Sequence, residues 1–257
     1  MKALLISVAV AISMLMSQET FGSTNEVSSP TFSLESSIRS EFVSFRTSRE
    51  VTTTPVILND LNLFLPHDLR LNVWQSQTTS SAKSECNGNE LDLALGKNWK
   101  FNGFSVYTEY RFMNLNQLNN WGDGDVMSFT LSLSSKPYKI TTNQTIQGVL
   151  YTEYLCDLKD LMHWVPTVQP GLVYVWKAPL GIKCLSVCDK NWIAWDDGWR
   201  KNTPNGMMLR IDANCTWDVM PHVQVIVPGV RFVTIMVNPH DGRHEATQWW
   251  AGVKLSF

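Results

Sequence analysis

Histidines, carboxylates and thiols are the side chains with which a chain does covalent or metal chemistry. Here they stand in patterns that assemble no reactive site. Five histidines, His67, His163, His222, His240 and His244, are the available general bases. A hydrolase would need one of them beside a nucleophile and an oxyanion-binding group. No Gly-x-Ser-x-Gly elbow or comparable setting accompanies any of them, so they read as solvated loop or turn residues and no enzyme is predicted. His240, Asp241, His244 and Glu245 form a compact set of possible metal ligands. One loop without a further partner or a rigid scaffold does not fix a metal, and neither a metal nor any cofactor is predicted. The cysteines are Cys86, Cys156, Cys184, Cys188 and Cys215, an odd number without a Cys-x-x-Cys. Cys184 and Cys188 lack a nearby histidine and make a poor zinc pattern. The cysteines read as small apolar strand residues, with pairing left open in an exported chain.

The other ionisable residues recur at alternate positions of apolar stretches, and that spacing identifies the elements carrying them. In QWWAGVKLSF, Trp249, Ala251, Val253, Leu255 and Phe257 share one face while Trp250, Gly252, Lys254 and Ser256 share the other. In GMMLRIDANCTWD, Met207, Leu209, Ile211, Ala213, Cys215 and Trp217 oppose Arg210, Asp212, Asn214 and Thr216. In GFSVYTEYRF, Phe104, Val106, Tyr110 and Phe112 oppose Ser105, Tyr107, Glu109 and Arg111. A period of two is a β-strand with one greasy and one polar face. The same test predicts about twelve strands, near 33 to 47, 53 to 65, 68 to 79, 90 to 98, 103 to 114, 125 to 135, 139 to 155, 164 to 177, 180 to 190, 206 to 218, 222 to 236 and 247 to 257.

The connections alternate in length. PHD after Leu65, KNWKFNG around Trp99, KPYK after Ser135, KAPLG after Trp176 and DVMPH after Trp217 read as short turns. TSSAKSECNGN, NLNQLNNWGDGD, the stretch from Asp189 to Asn205 and NPHDGRHEATQ read as long polar loops. Short turns on one rim and long loops on the other are the asymmetry of an up-and-down transmembrane barrel, with both termini on the short-turn side. Trp74, Trp99, Trp121, Trp164, Trp176, Trp217, Trp249 and Trp250 fall near strand ends, where an interfacial aromatic belt would lie. A soluble sandwich also buries tryptophan, yet it requires neither the rim asymmetry nor a terminal aromatic on the greasy face.

Composition agrees with this reading. Hydrophobic residues make up 44% and charged residues 17%, yet beyond the N-terminus no apolar run reaches the length of a spanning helix. Any membrane crossing must therefore use strands. Lys2 followed by the apolar stretch Ala3 to Met16 reads as a secretory signal. The expected organisation is a signal peptide over 1–23, a flexible segment over 24–32 and one β-barrel domain over 33–257. A net charge of −2 without a basic cluster argues against nucleic acid as a partner.

The last strand, with Trp249, Ala251, Val253, Leu255 and the terminal Phe257, resembles the C-terminal signature by which bacterial outer-membrane proteins reach their assembly machinery. LNLFLPHDLRLNVWQSQ, NELDLALGKNWKFNGFSVYTEYRFMNLN and QWWAGVKLSF together resemble an uncharacterised, porin-like family of outer-membrane barrel proteins. The resemblance implies an outer-membrane location, with membrane lipid and the barrel-assembly machinery as partners. It implies Trp249, Val253, Leu255 and Phe257 as the assembly signal, and it carries over no catalytic residue.

With the greasy face toward lipid, the inward charges are Glu35, Glu41, Asp60, Asp92, Glu109, Glu153 and Asp212 against Arg39, Arg70, Arg111, Lys183, Arg210 and Lys254, seven acids and six bases. Tyr107, Glu109, Arg111, Glu153, Arg210, Asp212, Asn214 and Lys254 are the expected lining of a lumen. About twelve strands lie between barrels that side chains fill and barrels wide enough for an aqueous channel, which predicts a narrow passage for small polar solutes, and near balance makes it weakly selective. The alternatives are a structural barrel filled by cross-strand salt bridges, or a surface-binding barrel. In the latter, Trp192, Trp195 and Trp199 beside Asp196 and Asp197 would stack on a glycan or pack over the mouth. A hydrolase is the weakest of the readings.

Overall fold

The computed structural model describes residues 31–43, 50–79, 89–114, 125–157, 165–196, 206–235 and 246–257. Twelve long strands form the wall: β1 (Thr31–Arg39), β2 (Val56–Leu65), β3 (Leu69–Thr78), β4 (Glu90–Lys100), β5 (Phe104–Asn114), β6 (Val126–Ser135), β7 (Gln144–Asp157), β8 (Val165–Lys177), β9 (Leu185–Asp196), β10 (Gly206–Met220), β11 (Val223–Ile235) and β12 (Ala246–Ser256). Each pairs antiparallel with its neighbours in sequence, and β12 pairs with β1, closing the sheet. Closure leaves no open edge on the wall, a condition for strands in lipid, where no water satisfies unpaired backbone groups. The expected all-β, up-and-down barrel of about twelve strands is the fold observed. Two short pairings, Phe42–Val43 with Glu50–Thr52 and Tyr138–Lys139 with the start of β7, add to it.

Alternation of side chains sorts the wall into two surfaces. Leu255, Leu34, Leu61, Val73 and Leu93 are successive cross-strand partners and form an apolar row on the outward face, which Phe112 and Met127 continue by register while themselves buried. Leu93 is 43% exposed and Leu172 53%, whereas Glu153 and Asp92 on the inner surface are each 2% exposed. A soluble protein distributes these residues the other way round. Greasy outside and polar inside is the partition of a transmembrane barrel. The described apolar core is a set of small clusters on the inner face toward the outer ends of the strands: Val56, Leu58 and Trp74; Met113, Val126 and Leu155; and Val233 with Ala246.

The short-turn rim is tight. Pro66–Asp68 joins β2 to β3 with His67 and Asp68 at positive φ, and Gly103 takes φ 113 in the turn from β4 to β5, a conformation that suits a residue lacking Cβ. Both termini of the wall lie on this rim, where Phe32 and Phe257 exchange backbone hydrogen bonds of 2.8 and 2.9 Å and stack at 4.9 Å.

The structure departs from the sequence expectation in several places. β1 begins at Thr31, inside the segment expected to be flexible, and ends at Arg39 rather than near 47. Lys97 to Lys100 and Asp218 to Met220 extend their strands instead of forming turns. β9 continues to Asp196, so Asp189 to Asp196 belongs to the wall and not to a loop. Trp74 packs on Val56 and Leu58 and the buried Trp250 faces inward, so neither joins an outer aromatic belt. Trp217 and Trp249, 51% and 56% exposed, do sit outside. Trp121, Trp164, Trp199, Cys86 and the segment 1–30 lie outside the described residues.

Candidate functional site

The polar inner surface is the candidate site, and two groups of charged residues occupy it. The first spans β2 to β5. Arg111 donates from Nε to Glu109 Oε1 and from Nη1 to Asp92 Oδ2, both at 2.8 Å, and from Nη2 to Asn72 Oδ1 at 3.3 Å. The Tyr107 hydroxyl donates to Glu109 Oε2 at 2.6 Å and accepts from Arg70 Nη1 at 3.3 Å, while Arg70 Nε donates to Asn62 Oδ1 at 2.6 Å. Asn72 Nδ2 donates to Asp60 Oδ1 at 2.6 Å. A Cβ at Gly96 would lie 2.2 Å from the Tyr107 oxygen, so glycine at this position admits the phenol over the backbone and lets it reach Glu109. In this wall two arginines are held among three carboxylates.

The second group runs from β9 across β12 to β1, and its balance is opposite. Arg231 donates from Nε to Asp212 Oδ1 at 2.7 Å and from Nη2 to Oδ2 at 3.2 Å, a two-point grip. Arg210 Nη2 approaches the same carboxylate at 3.1 Å. Lys190 is the direct cross-strand partner of Arg210. Arg39 donates from Nη1 to Gln248 Oε1 at 3.0 Å, and the guanidiniums of Arg39 and Arg231 lie 5.1 and 5.9 Å from the Trp250 ring centroid. Trp250 lies against Gly229, where a Cβ would meet the indole at 2.1 Å. Four cations, Arg39, Lys190, Arg210 and Arg231, therefore gather about Asp212, with Glu35 next along β1 facing Lys254 across the ladder.

Of the residues expected to line the interior, Tyr107, Glu109 and Arg111 meet in the first group and Arg210 and Asp212 in the second. Asn214 stands one inward position below Asp212, across from Gly229, and accepts from Thr216 Oγ1 at 3.3 Å. Glu153 lies on β7 between Thr130 and Thr167, and Lys254 lies toward the short-turn rim across from Gln224. Two expected inward charges are not on the wall. Lys183 is exposed in the turn before β9, because the residues from Pro179 to Cys184 form a turn and do not continue the alternation. Glu41 follows β1 in a bend, where its carbonyl accepts from Gln248 Nε2.

Sequence reasoning missed Lys190 and Arg231. Lys190 lay where the strand expected over 180 to 190 overlaps the stretch from Asp189 taken as a loop, so its face was not assigned. Arg231 was hidden by the register shift between Ile226 and Gly229, which exchanges the faces along β11: Ile226 faces in below it, and Gly229 and Arg231 face in above it. Pro228, inside this irregularity, was the available clue, since a residue without an N–H is confined to edges and bulges.

The described histidines, His67 and His222, both lie in turns of the short-turn rim. His67 is exposed in a turn, and His222 Nδ1 stands 2.7 Å from the Ser256 carbonyl while its ring stacks on Phe257 at 5.0 Å. His163, and the set His240, Asp241, His244 and Glu245, lie outside the described residues.

No protein-family model and no curated protein sequence matches the chain. Solved structures do. The NanC porin aligns over 88% of this chain and 100% of its own at 8% identity, with a TM-score of 0.51. The KdgM porin in complex with disordered oligogalacturonate aligns over 88% and 99% at 8% identity, TM-score 0.48. The outer membrane protein Omp33 of Acinetobacter baumannii aligns over 88% and 98% at 8% identity, TM-score 0.45. At this identity the likeness to the NanC porin is one of fold.

Proposed function

We propose that this chain is an outer-membrane barrel that gives small polar solutes a narrow passage, and that the passage prefers anions to cations. The inside-out polarity of the wall and the barrel fold shared with the NanC porin support the location. On this reading residues 1–23 direct export, Trp249, Val253, Leu255 and Phe257 are recognised by the barrel-assembly machinery, and membrane lipid surrounds the apolar belt.

The observation that carries the preference is the segregation of inward charge. The inventory is near balance, but the bases gather on β9, β10, β11 and β1 about Asp212, while Asp60, Asp92 and Glu109 lie on β2, β4 and β5 with Arg70 and Arg111. In a closed ring of twelve strands, β4 and β10 stand six strands apart and face each other across the lumen. A field then crosses the passage, and an anion has a favourable track along the basic wall. Lys190 and Arg210 stand directly opposite in the ladder, with the Asp212 carboxylate 3.1 Å from Arg210 Nη2, so one acid is shared among several bases on this wall.

Planar-bilayer recordings of the purified barrel under a potassium chloride gradient test this reading. Small steps with a reversal potential on the anion side are expected. Lys190→Glu, which sets a carboxylate opposite Arg210 and replaces a repulsive pair by an attractive one, should move the reversal potential toward cations while the barrel stays folded. Silence, a cation preference in the wild type, or a reversal potential unmoved by Lys190→Glu would refute the proposal.

A further inference from the structure

We infer that Cys184 and Cys215 are a disulfide-forming pair, a covalent staple between the turn that precedes β9 and strand β10. The two sulfurs lie 3.2 Å apart as free thiols, and both residues are half-buried, so a reagent can reach them. The backbone holds them there: Leu185, next to Cys184, is the ladder partner of Cys215, and Thr216 N donates to Cys184 O at 2.9 Å. The other described cysteines are placed against such a pairing. Cys188 is the ladder partner of Asp212 and shares its inward face, whereas Cys215 points outward with Leu209 and Ile211. Cys156 is fully buried on β7, which pairs with neither β9 nor β10.

The chemistry is a two-electron oxidation by thiol–disulfide exchange. The thiolate of one cysteine attacks a disulfide of an oxidant and forms a mixed disulfide. The second thiolate attacks the Cys sulfur of that bond, the Cys184–Cys215 bond forms, and the oxidant leaves as its reduced thiols. The chain loses two thiol protons and two electrons, and the oxidant gains both. A protein disulfide donor in the oxidising space beneath an outer membrane would serve in the cell; this part of the inference rests on the proposed location. The staple encloses β9, the connection and β10 as far as Cys215, a stretch whose inward residues include Lys190, Arg210 and Asp212, and it restricts the unfolded chain more than the folded one.

The test counts thiols with a mass-adding maleimide after denaturation without reduction. The full-length chain has five cysteines, so five labels are expected once it is reduced. The barrel folded in detergent micelles and then treated with oxidised glutathione should take three labels, with no glutathione adduct in its mass. Under the same treatment Cys184→Ser and Cys215→Ser should form no bond within the chain: the thiol left without its partner either stays free, giving four labels, or holds one glutathione, giving three. Protein isolated from membranes should already show three. Five labels after the oxidant, or loss of two thiols in the Cys184→Ser variant, would overturn the pair. Three labels after the oxidant but five in protein from cells would support the pair and count against the oxidising compartment, so the two readings fail separately.

Discussion

A chain lacking Trp250 to Phe257 should yield no folded barrel. β12 is bonded on both sides, and its seven ladder partners on β1 run from Ser33 opposite Ser256 to Arg39 opposite Trp250. The deletion removes all seven, together with the contacts of Trp250, Gly252, Val253, Lys254 and Leu255 with β11. It also removes the stack of Phe257 on Phe32 and the indole between Arg39 and Gly229. β1 and β11 would then present open edges to hydrocarbon, where each unsatisfied backbone group costs several kcal/mol, on the order of the whole stability of a domain after only a few groups. Immunoblots of fractionated cells should detect only degraded chain or chain outside the membrane fraction. Full-length levels of a folded, membrane-bound truncation would mean that β12 does not close the wall.

The second large effect follows from the two-sided wall. Leu93 belongs to the outward row, flanked by Val73 and Phe112, and is 43% exposed. Leu93→Arg places a cation in the apolar belt, at a cost of about 2 to 4 kcal/mol if the site lies near the midplane. Thr216→Arg, on the inward face of β10 toward the short-turn rim, keeps its charge among polar groups and should cost far less. Urea titrations of both variants refolded into lipid vesicles, followed by tryptophan fluorescence, measure the difference. Equal midpoints would mean that the inner and outer faces are misassigned.

The strands were legible because a barrel wall in lipid imposes the simplest possible pattern, one face per environment. From Trp249 to Phe257 and from Leu209 to Trp217 the pattern is unbroken, and those residues lie as read. It failed where the environment no longer fixes the parity. On β9, Asp189 and Asn191 point outward and bond to each other at 2.9 Å while Lys190 and Trp192 point in. With polar residues on both faces, the stretch resembles a loop. On β11 a bulge exchanges the faces and conceals Arg231. The candidate site suffered more than the fold, because its two charge groups arise from contacts between strands. The closeness of Trp250 to Gly229, or of Tyr107 to Gly96, depends on register, which no single strand encodes. The sum of charges was readable, but its separation onto two walls was not.

A closed barrel immersed in lipid should change its gel mobility on boiling. A ring of strands hydrogen-bonded all the way round resists detergent at room temperature and opens only on heating. The protein should fractionate with the outer membrane, and its unboiled and boiled forms should migrate at different positions. Recovery as a soluble species with a single, heat-independent mobility would contradict this.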